Sequence, residues 1–403
     1  MSGISRVFVV KRGKPIAPFG DLPGQSFVLG RTLEILQKEA IEEAGLEWVD
    51  VVPESEPYVV ISDRTWITAA ALKALVAQAT APARLQVTDP TWLSTAAALQ
   101  DQPSPGVYEV GLVPAGHGPE LDALPLVSID LNIEPREAPR EHPALAHAMP
   151  ETLPFTDAGV QQIEHWSHIL RANWLGLSCT IAREVRGFGK QPFWKKIWRF
   201  LVVLFKARSL RPHRLARAVS HIGRGSRVHP TAVIEASVLG ENVEVGPFAV
   251  IRGSLIGDGS RIEEHGVVNA SVLGEGARVG KGGIANLSVL YPGAFVSPGN
   301  GFQASVFGTD SFVAWGVTIF DLSFARPIRV LHQGERVSTD SWFLGAAVGH
   351  RARLGAQATL GYGSEVANDA VLVGPTESVL LHWKEGKGPH RVVGGVAVSF
   401  GEE

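Results

Sequence analysis

Apolar positions in the second half of the chain recur with a period that no helix produces. From Ile222 onward they fall at Ile222, Val228 and Ile234, then Leu239, Val245 and Ile251, then Ile256, Ile262 and Val268. The steps are six, six and five residues, so one round takes seventeen. Ile222, Leu239, Ile256, Leu273, Leu290 and Phe307 are each seventeen apart, and Gly follows five of these six. Val348, Leu354, Leu360, Val366 and Leu372 then continue in sixes. Six residues make one short strand and one tight corner, so three steps close a triangular coil with its anchors inward. Gly beside an anchor lets the backbone turn where a side chain would obstruct it. One coil cannot bury its own apolar edge, so coils must stack as in other solenoids. The pattern predicts about nine coils and fails at 321–341, where Arg326, Pro327 and the stretch from His332 to Glu335 suggest a loop thrown out from the prism.

The first half carries a different pattern. Short apolar runs at 7–10, 49–52 and 58–61 read as strands, and 29–44 and 68–79 as helices, the first ending at Gly45 and the second capped by Thr68. Strands alternating with helices argue for an α/β domain with a parallel sheet over 1–150. Ligands of such sheets gather at the carboxyl ends of the strands, which is where Lys11, Arg12, Lys14 and Asp63 fall. A connector follows over 151–220. Pro, Ala and His crowd 138–154 and predict irregular chain; a helix begins near His165 and Trp166.

Composition narrows the function classes. The chain has 403 residues, 45% apolar and 19% charged, with a formal charge of −3. That balance gives no reason to expect nucleic-acid binding. Cys179 is the single cysteine, which excludes an intramolecular disulfide and a multi-cysteine zinc site. The N-terminus lacks a signal-peptide pattern, and the apolar run at 200–205 is too short to span a bilayer. The expectation is a cytoplasmic protein.

Charge is unevenly placed, however. Between 193 and 219 stand Lys195, Lys196, Arg199, Lys206, Arg208, Arg211, Arg214 and Arg217, with no acidic residue among them. Trp194, Ile197, Trp198, Leu201, Leu204 and Phe205 interleave near helical spacing. The plain expectation is a linker helix with its apolar stripe against the prism. The alternative is contact with an acidic partner or a membrane surface, peripheral to the inner face.

The stretch Ile222-Gly223-Arg224-Gly225-Ser226-Arg227-Val228-His229-Pro230 resembles the opening coil of the hexapeptide-repeat family. The resemblance covers about 222–375 and implies an all-β, left-handed parallel β-helix ending in a C-terminal tail within 221–403. It also implies a homotrimer with substrates bound between prisms. Family members include acyltransferases, nucleotidyltransferases with β-helix tails, carbonic anhydrases and scaffolds. The run Tyr58-Val59-Val60-Ile61-Ser62-Asp63 is similar to the strand of sugar-1-phosphate nucleotidyltransferases whose terminal Asp holds magnesium. That likeness implies Asp63 as metal ligand, Lys11, Arg12 and Lys14 as phosphate contacts, and a sugar nucleotide as substrate. The family's Gly-rich phosphate loop is reduced here to the single Gly13, which implies a degenerate domain that has lost its chemistry.

Residues 346–355 resemble the segment carrying the catalytic His in the β-helical acyltransferases of lipid A assembly. The resemblance implies His350 as general base, taking a proton from a sugar hydroxyl or amine that attacks an acyl thioester. The donor would be acetyl-CoA or an acyl carrier. The family's acidic neighbour is absent, since Arg351 follows His350. His229 and His265 read as turn and corner residues, and His332 falls in the interrupting loop; no spacing suggests a histidine metal site. Three functions follow: a transferase of sugar-nucleotide or envelope-sugar metabolism with acyl transfer at the β-helix, a catalytically silent scaffold or regulator, and nucleotidyl transfer through Lys14 and Asp63.

Overall fold

A computed structural model describes residues 4–138, 151–189, 191–207, 217–374, 379–380, 383, 390–394 and 396–399. Its N-terminal part is α/β. Strands β1 (Arg6–Val10), β2 (Glu47–Val49) and β3 (Tyr58–Ser62) pair in parallel, with β1 in the middle. Helix α1 (Leu33–Ala44) joins β1 to β2 and ends at Gly45. After β3, a short strand β4 (Thr65–Ile67) leads into α2 (Ala69–Gln78), whose cap Thr68 accepts the backbone N–H of Ala71. Three more strands, β5 (Ala83–Gln86), β6 (Val107–Val113) and β7 (Leu126–Ser128), complete a six-stranded sheet of order β2-β1-β3-β6-β5-β7. The sheet is mixed rather than wholly parallel, because β6 runs antiparallel to both β3 and β5. The second strand starts and ends earlier than its apolar run at 49–52 suggests, since β2 pairs through Glu47, Trp48 and Val49 while Val51 is exposed.

The stretch expected to be irregular is partly ordered. Strand β8 (Glu134–Glu137) pairs antiparallel with β9 (Thr152–Phe155) around residues outside the described set. Strand β10 (Val160–Gln162) pairs with β4, and α3 (Trp166–Gly189) begins where His165 and Trp166 predict it. Helix α4 (Phe193–Ala207) follows after three residues. Of the basic segment, Arg208, Arg211 and Arg214 lie outside the described residues.

From His221 the chain winds into a three-faced parallel β-helix. Its first and second faces are eight-stranded, and its third has five strands continued by the pair Thr318–Ile319 and Thr359–Leu360. There are eight rungs among the described residues rather than nine, because pairing on these faces ends at Val371–Leu372. Ile234, Leu239, Val245, Ile251, Leu273, Leu290, Phe307, Val348 and Leu354 fill the prism interior as the repeat requires. Gly257 shows why glycine sits beside an anchor: a Cβ there would stand 2.6 Å from the next coil's backbone nitrogen at Glu275.

One corner carries a second seventeen-residue series, Ser237, Ser254, Ser271, Ser288 and Ser305, all buried. Each hydroxyl donates to the carbonyl two residues earlier and accepts the N–H of the next rung. The residue before each serine has positive φ, from Ala236 and Ala270 to Leu287 and Ala304. A non-glycine residue pays about 1 kcal/mol for that conformation, and the ladder supplies hydrogen bonds that hold the corner there.

The interrupting segment is an antiparallel hairpin, Arg329–His332 with Glu335–Ser338. Its Ile328 and Val330 are buried in the same cluster as the α/β domain, so the hairpin packs against that domain.

The outward side of the first face is the main seam of the molecule. Val272, Val289, Val306 and Ala347 are fully buried, and they cluster with the α/β domain and α3 rather than with the prism interior. Trp174 of α3 donates to the carbonyl of Leu287 at 2.9 Å, and Trp166 donates to Glu365 at 3.0 Å. Among the described residues no helix is long and apolar enough to cross a membrane.

Replacing Ser271 by Ala should destabilise the protein by about 1–3 kcal/mol, because the buried N–H of Ser288 loses its acceptor. Urea denaturation checks this; a loss below about 0.5 kcal/mol, within ordinary surface variation, would show that the ladder contributes no stability.

Candidate functional site

The residues expected to bind phosphate and metal do come together at the carboxyl ends of β1 and β3. Asp63 accepts the backbone N–H groups of Arg12 and Gly13 through one oxygen, both at 2.9 Å. These are the amide groups that a phosphate would need. The space beside Gly13 is also filled: a Cβ on it would lie 2.4 Å from the Pro23 ring. Lys11 and Lys14 are exposed, and Arg12 faces Glu109 at 3.7 Å.

Glu109 is itself held by Nε and Nη2 of Arg64, both at 2.7 Å, and Nη1 of Arg64 reaches Glu164 at 2.6 Å. Burial alone would raise the Glu109 carboxyl, but the Arg64 hydrogen bonds overcome it and hold it below the ordinary range. At Glu164 burial wins over Arg64, and the carboxyl titrates higher than usual. Cations and carboxylates at this end of the sheet thus neutralise one another. The donor set does not fit magnesium: Asp63 is engaged with the loop, Glu109 with arginine. Among the described residues no group of three or more His, Cys, Asp or Glu side chains is placed to hold a metal ion.

His350 lies at the corner after the first face, under the α/β domain, and is 8% exposed. Nδ1 accepts the backbone N–H of Thr309 at 2.8 Å. The proton therefore sits on Nε2, which donates to Asp21 at 3.1 Å. The orienting carboxylate missing beside His350 in sequence is thus supplied from the other domain. Phe19 and Tyr291 pack against the ring at centroid distances of 5.2 and 5.4 Å. The backbone N–H of His350 is bound by Asn368, whose amide also donates to the Phe19 carbonyl. Both ring nitrogens are occupied, so no lone pair faces an incoming hydroxyl or amine.

The other candidate histidines, with His165 and His168, have the following surroundings. His229 bonds Thr231, and His265 stacks on the exposed Phe248 ring at 5.1 Å. His332, on the hairpin, meets His165 edge-on at 5.5 Å, and His165 contacts Glu365 at 3.2 Å. His168 is fully buried, accepting the N–H of Glu164 and donating to the Ala98 carbonyl. Burial and then the nearby Arg171 charge push its pKa well below the ordinary value, while burial and His165 lower that of His332.

A separate cavity lies on the α/β side. A cleft of about 800 Å³ opens between α1, the start of α2 and α3. Glu39 and Glu43 come from α1, Lys73 from α2, and Arg183 and Arg186 from α3. Arg183 pairs with Glu43 at 3.1 Å, and Arg186 is bound by Asp157 and the Asn132 carbonyl. The first turn of α2, at Ala69 and Ala70, lines the same space. Cys179 borders it, with its thiol pushed up to about 12 by burial. Nothing in the sequence gathers these residues, although Glu39 and Glu43 stand four apart and Arg183 and Arg186 three apart on their helices.

No protein-family model matches the chain, and no curated protein matches it. Among solved structures it is similar to the polysialic acid O-acetyltransferase OatWY at 20% identity, over 46% of this chain and 91% of that one, with a TM-score of 0.15. At that identity and score the likeness bears on neither chemistry nor substrate.

Two outcomes follow from this geometry. Asp63→Ala should destabilise the fold by about 1–3 kcal/mol for each backbone N–H left unpaired, measured by urea denaturation; an unchanged midpoint would return Asp63 to a purely ligand-binding role. His168 and His332 are held neutral in the fold, so the stability this contributes is present above their ordinary pKa, about 6.5, and is lost as pH falls below it. The stability gap between wild type and His168→Asn should therefore narrow on acidification, and a gap independent of pH would contradict the buried neutral state.

Proposed function

We propose that this protein is a ligand-binding scaffold of envelope-sugar metabolism built on transferase architecture, rather than an active nucleotidyltransferase. The observation that carries this reading is the use of both expected catalytic centres as internal supports. Asp63 closes its own phosphate loop, and His350 is fastened between Thr309 and Asp21. A general base needs an uncommitted lone pair within hydrogen-bond reach of its substrate. Ligand binding would fall to the α1–α2–α3 cleft, whose volume lies within the usual range for small molecules. Its mixed rim suits a hydroxyl-rich ligand with one negative group: carboxylates accept from hydroxyls, and Lys73 with the first turn of α2 favours the anion. Sugar phosphates and sugar nucleotides have that chemistry. The first face is covered, so a homotrimer of this chain would form through the other two faces of the prism.

One observation favours acyl transfer as a second reading. Asp21 stands against His350 Nε2 as an orienting carboxylate stands in a His–carboxylate pair. For this pair to work as a base, the Thr309 bond must open and Phe19 must move from the ring.

A thermal-shift comparison of sugar phosphates, UDP-sugars, acetyl-CoA and magnesium nucleotides separates the readings. A ligand at a hundredfold excess over its Kd stabilises the native state by about 2.7 kcal/mol. The scaffold reading expects a shift with a sugar phosphate or UDP-sugar that Lys73→Ala removes, and no turnover of acetyl-CoA. His350→Ala should then lower stability by about 1–3 kcal/mol, since Asp21 and Thr309 lose a partner. Acyl transfer to a sugar that disappears in a still folded His350→Ala protein would replace the scaffold reading with the second.

A further inference from the structure

Helix α4 is the part of the described chain whose surface is least like that of a solvated protein. Phe193, Trp194, Trp198 and Phe205 are 67%, 77%, 70% and 80% exposed. Phe193 and Ile197 stand four apart, as do Trp194 and Trp198, and Phe205 returns to the Trp194 side three turns on. The preceding helix continues the pattern, with Ile181 and Val185 exposed four residues apart near its end. Scattered exposed apolar residues need no explanation, but four large aromatics along one stretch of helix do.

Charge decides what this surface fits. Eight Lys and Arg and no acidic residue fall between 193 and 219, while the whole chain stands at −3. We infer that α4 is an in-plane anchor that seats its aromatic side in the headgroup boundary of an anionic lipid bilayer. A second copy of α4 is a poor cover, because it would bring like charge against like charge. Among the described residues these aromatics stay exposed. An acidic protein could neutralise the lysines and arginines, but it would also need an apolar groove for two tryptophans. An anionic bilayer offers both at once: the acyl boundary takes Trp and Phe, and the headgroups take the cations. The helix is about 22 Å long at 1.5 Å per residue and carries Lys195, Lys196, Arg199 and Lys206, so it lies on the surface and does not cross it. Arg183 and Arg186 lie within about 10 Å, measured along the axis, of the end of α3, so docking keeps the cleft close to the headgroups.

The test is co-sedimentation of the full chain with phosphatidylglycerol-containing vesicles and with pure phosphatidylcholine vesicles. The protein should sediment with the anionic vesicles, and high salt should weaken this. The triple variant Trp194→Ala, Trp198→Ala, Phe205→Ala should bind about tenfold less or weaker still, with an unchanged melting temperature. A wild-type protein that stays in the supernatant with anionic vesicles at low salt sinks the proposal. So does a triple variant that sediments like wild type, or capture by polyglutamate with no vesicle binding.

Discussion

The structure depends on one apolar seam, where the outward side of the β-helix's first face meets the α/β domain and α3. A prism of this kind is self-sufficient inside, because each rung buries its anchors against the next. Its outer faces are ordinarily wet. Here Val272, Val289, Val306 and Ala347 turn one of them into a second core. The hairpin adds Ile328 and Val330, and the loop after β1 adds Phe19 against Tyr291 at 5.3 Å. The α/β part and the prism are thereby joined along one prism face.

That seam explains the state of the expected catalytic residues. His350 is placed at the corner where the seam begins, so covering the face also covers the imidazole. Once dry, its two nitrogens must find partners, and they find Thr309 and Asp21. The same logic governs the carboxyl end of the sheet. Arg64, Glu109 and Glu164 are withdrawn from water, so they pair with one another instead of with a ligand. Polar groups that would serve chemistry in an open site serve cohesion in a closed one.

The cleft and α4 stand apart from the seam. The cleft is bounded by three helices and keeps its charged residues at a rim open to solvent. Helix α4 keeps its aromatics uncovered. The ligand and bilayer contacts proposed for this protein fall at these two places.

By itself the sequence determined the β-helix, down to which aliphatic residues point inward, because a seventeen-residue period leaves one way to stack them. It also determined that α1 ends at Gly45, that α2 is capped by Thr68 and that α3 begins near His165 and Trp166, through local signals, while α1 starts at Leu33 rather than 29. Val238, Leu255, Val272, Val289 and Val306 are equally periodic, and the last three are fully buried in the seam, but a pattern one residue before each anchor is meaningful only once a partner is known to cover it. Only the tertiary structure decided that partner, the mixed direction of the sheet, the cleft, and the fate of His350 and Asp63. Their roles turn on residues 329 and about 50 positions away, and on whether water reaches them. Local sequence encodes neither, because hydrogen-bond capacity is spent by whichever groups the fold brings near.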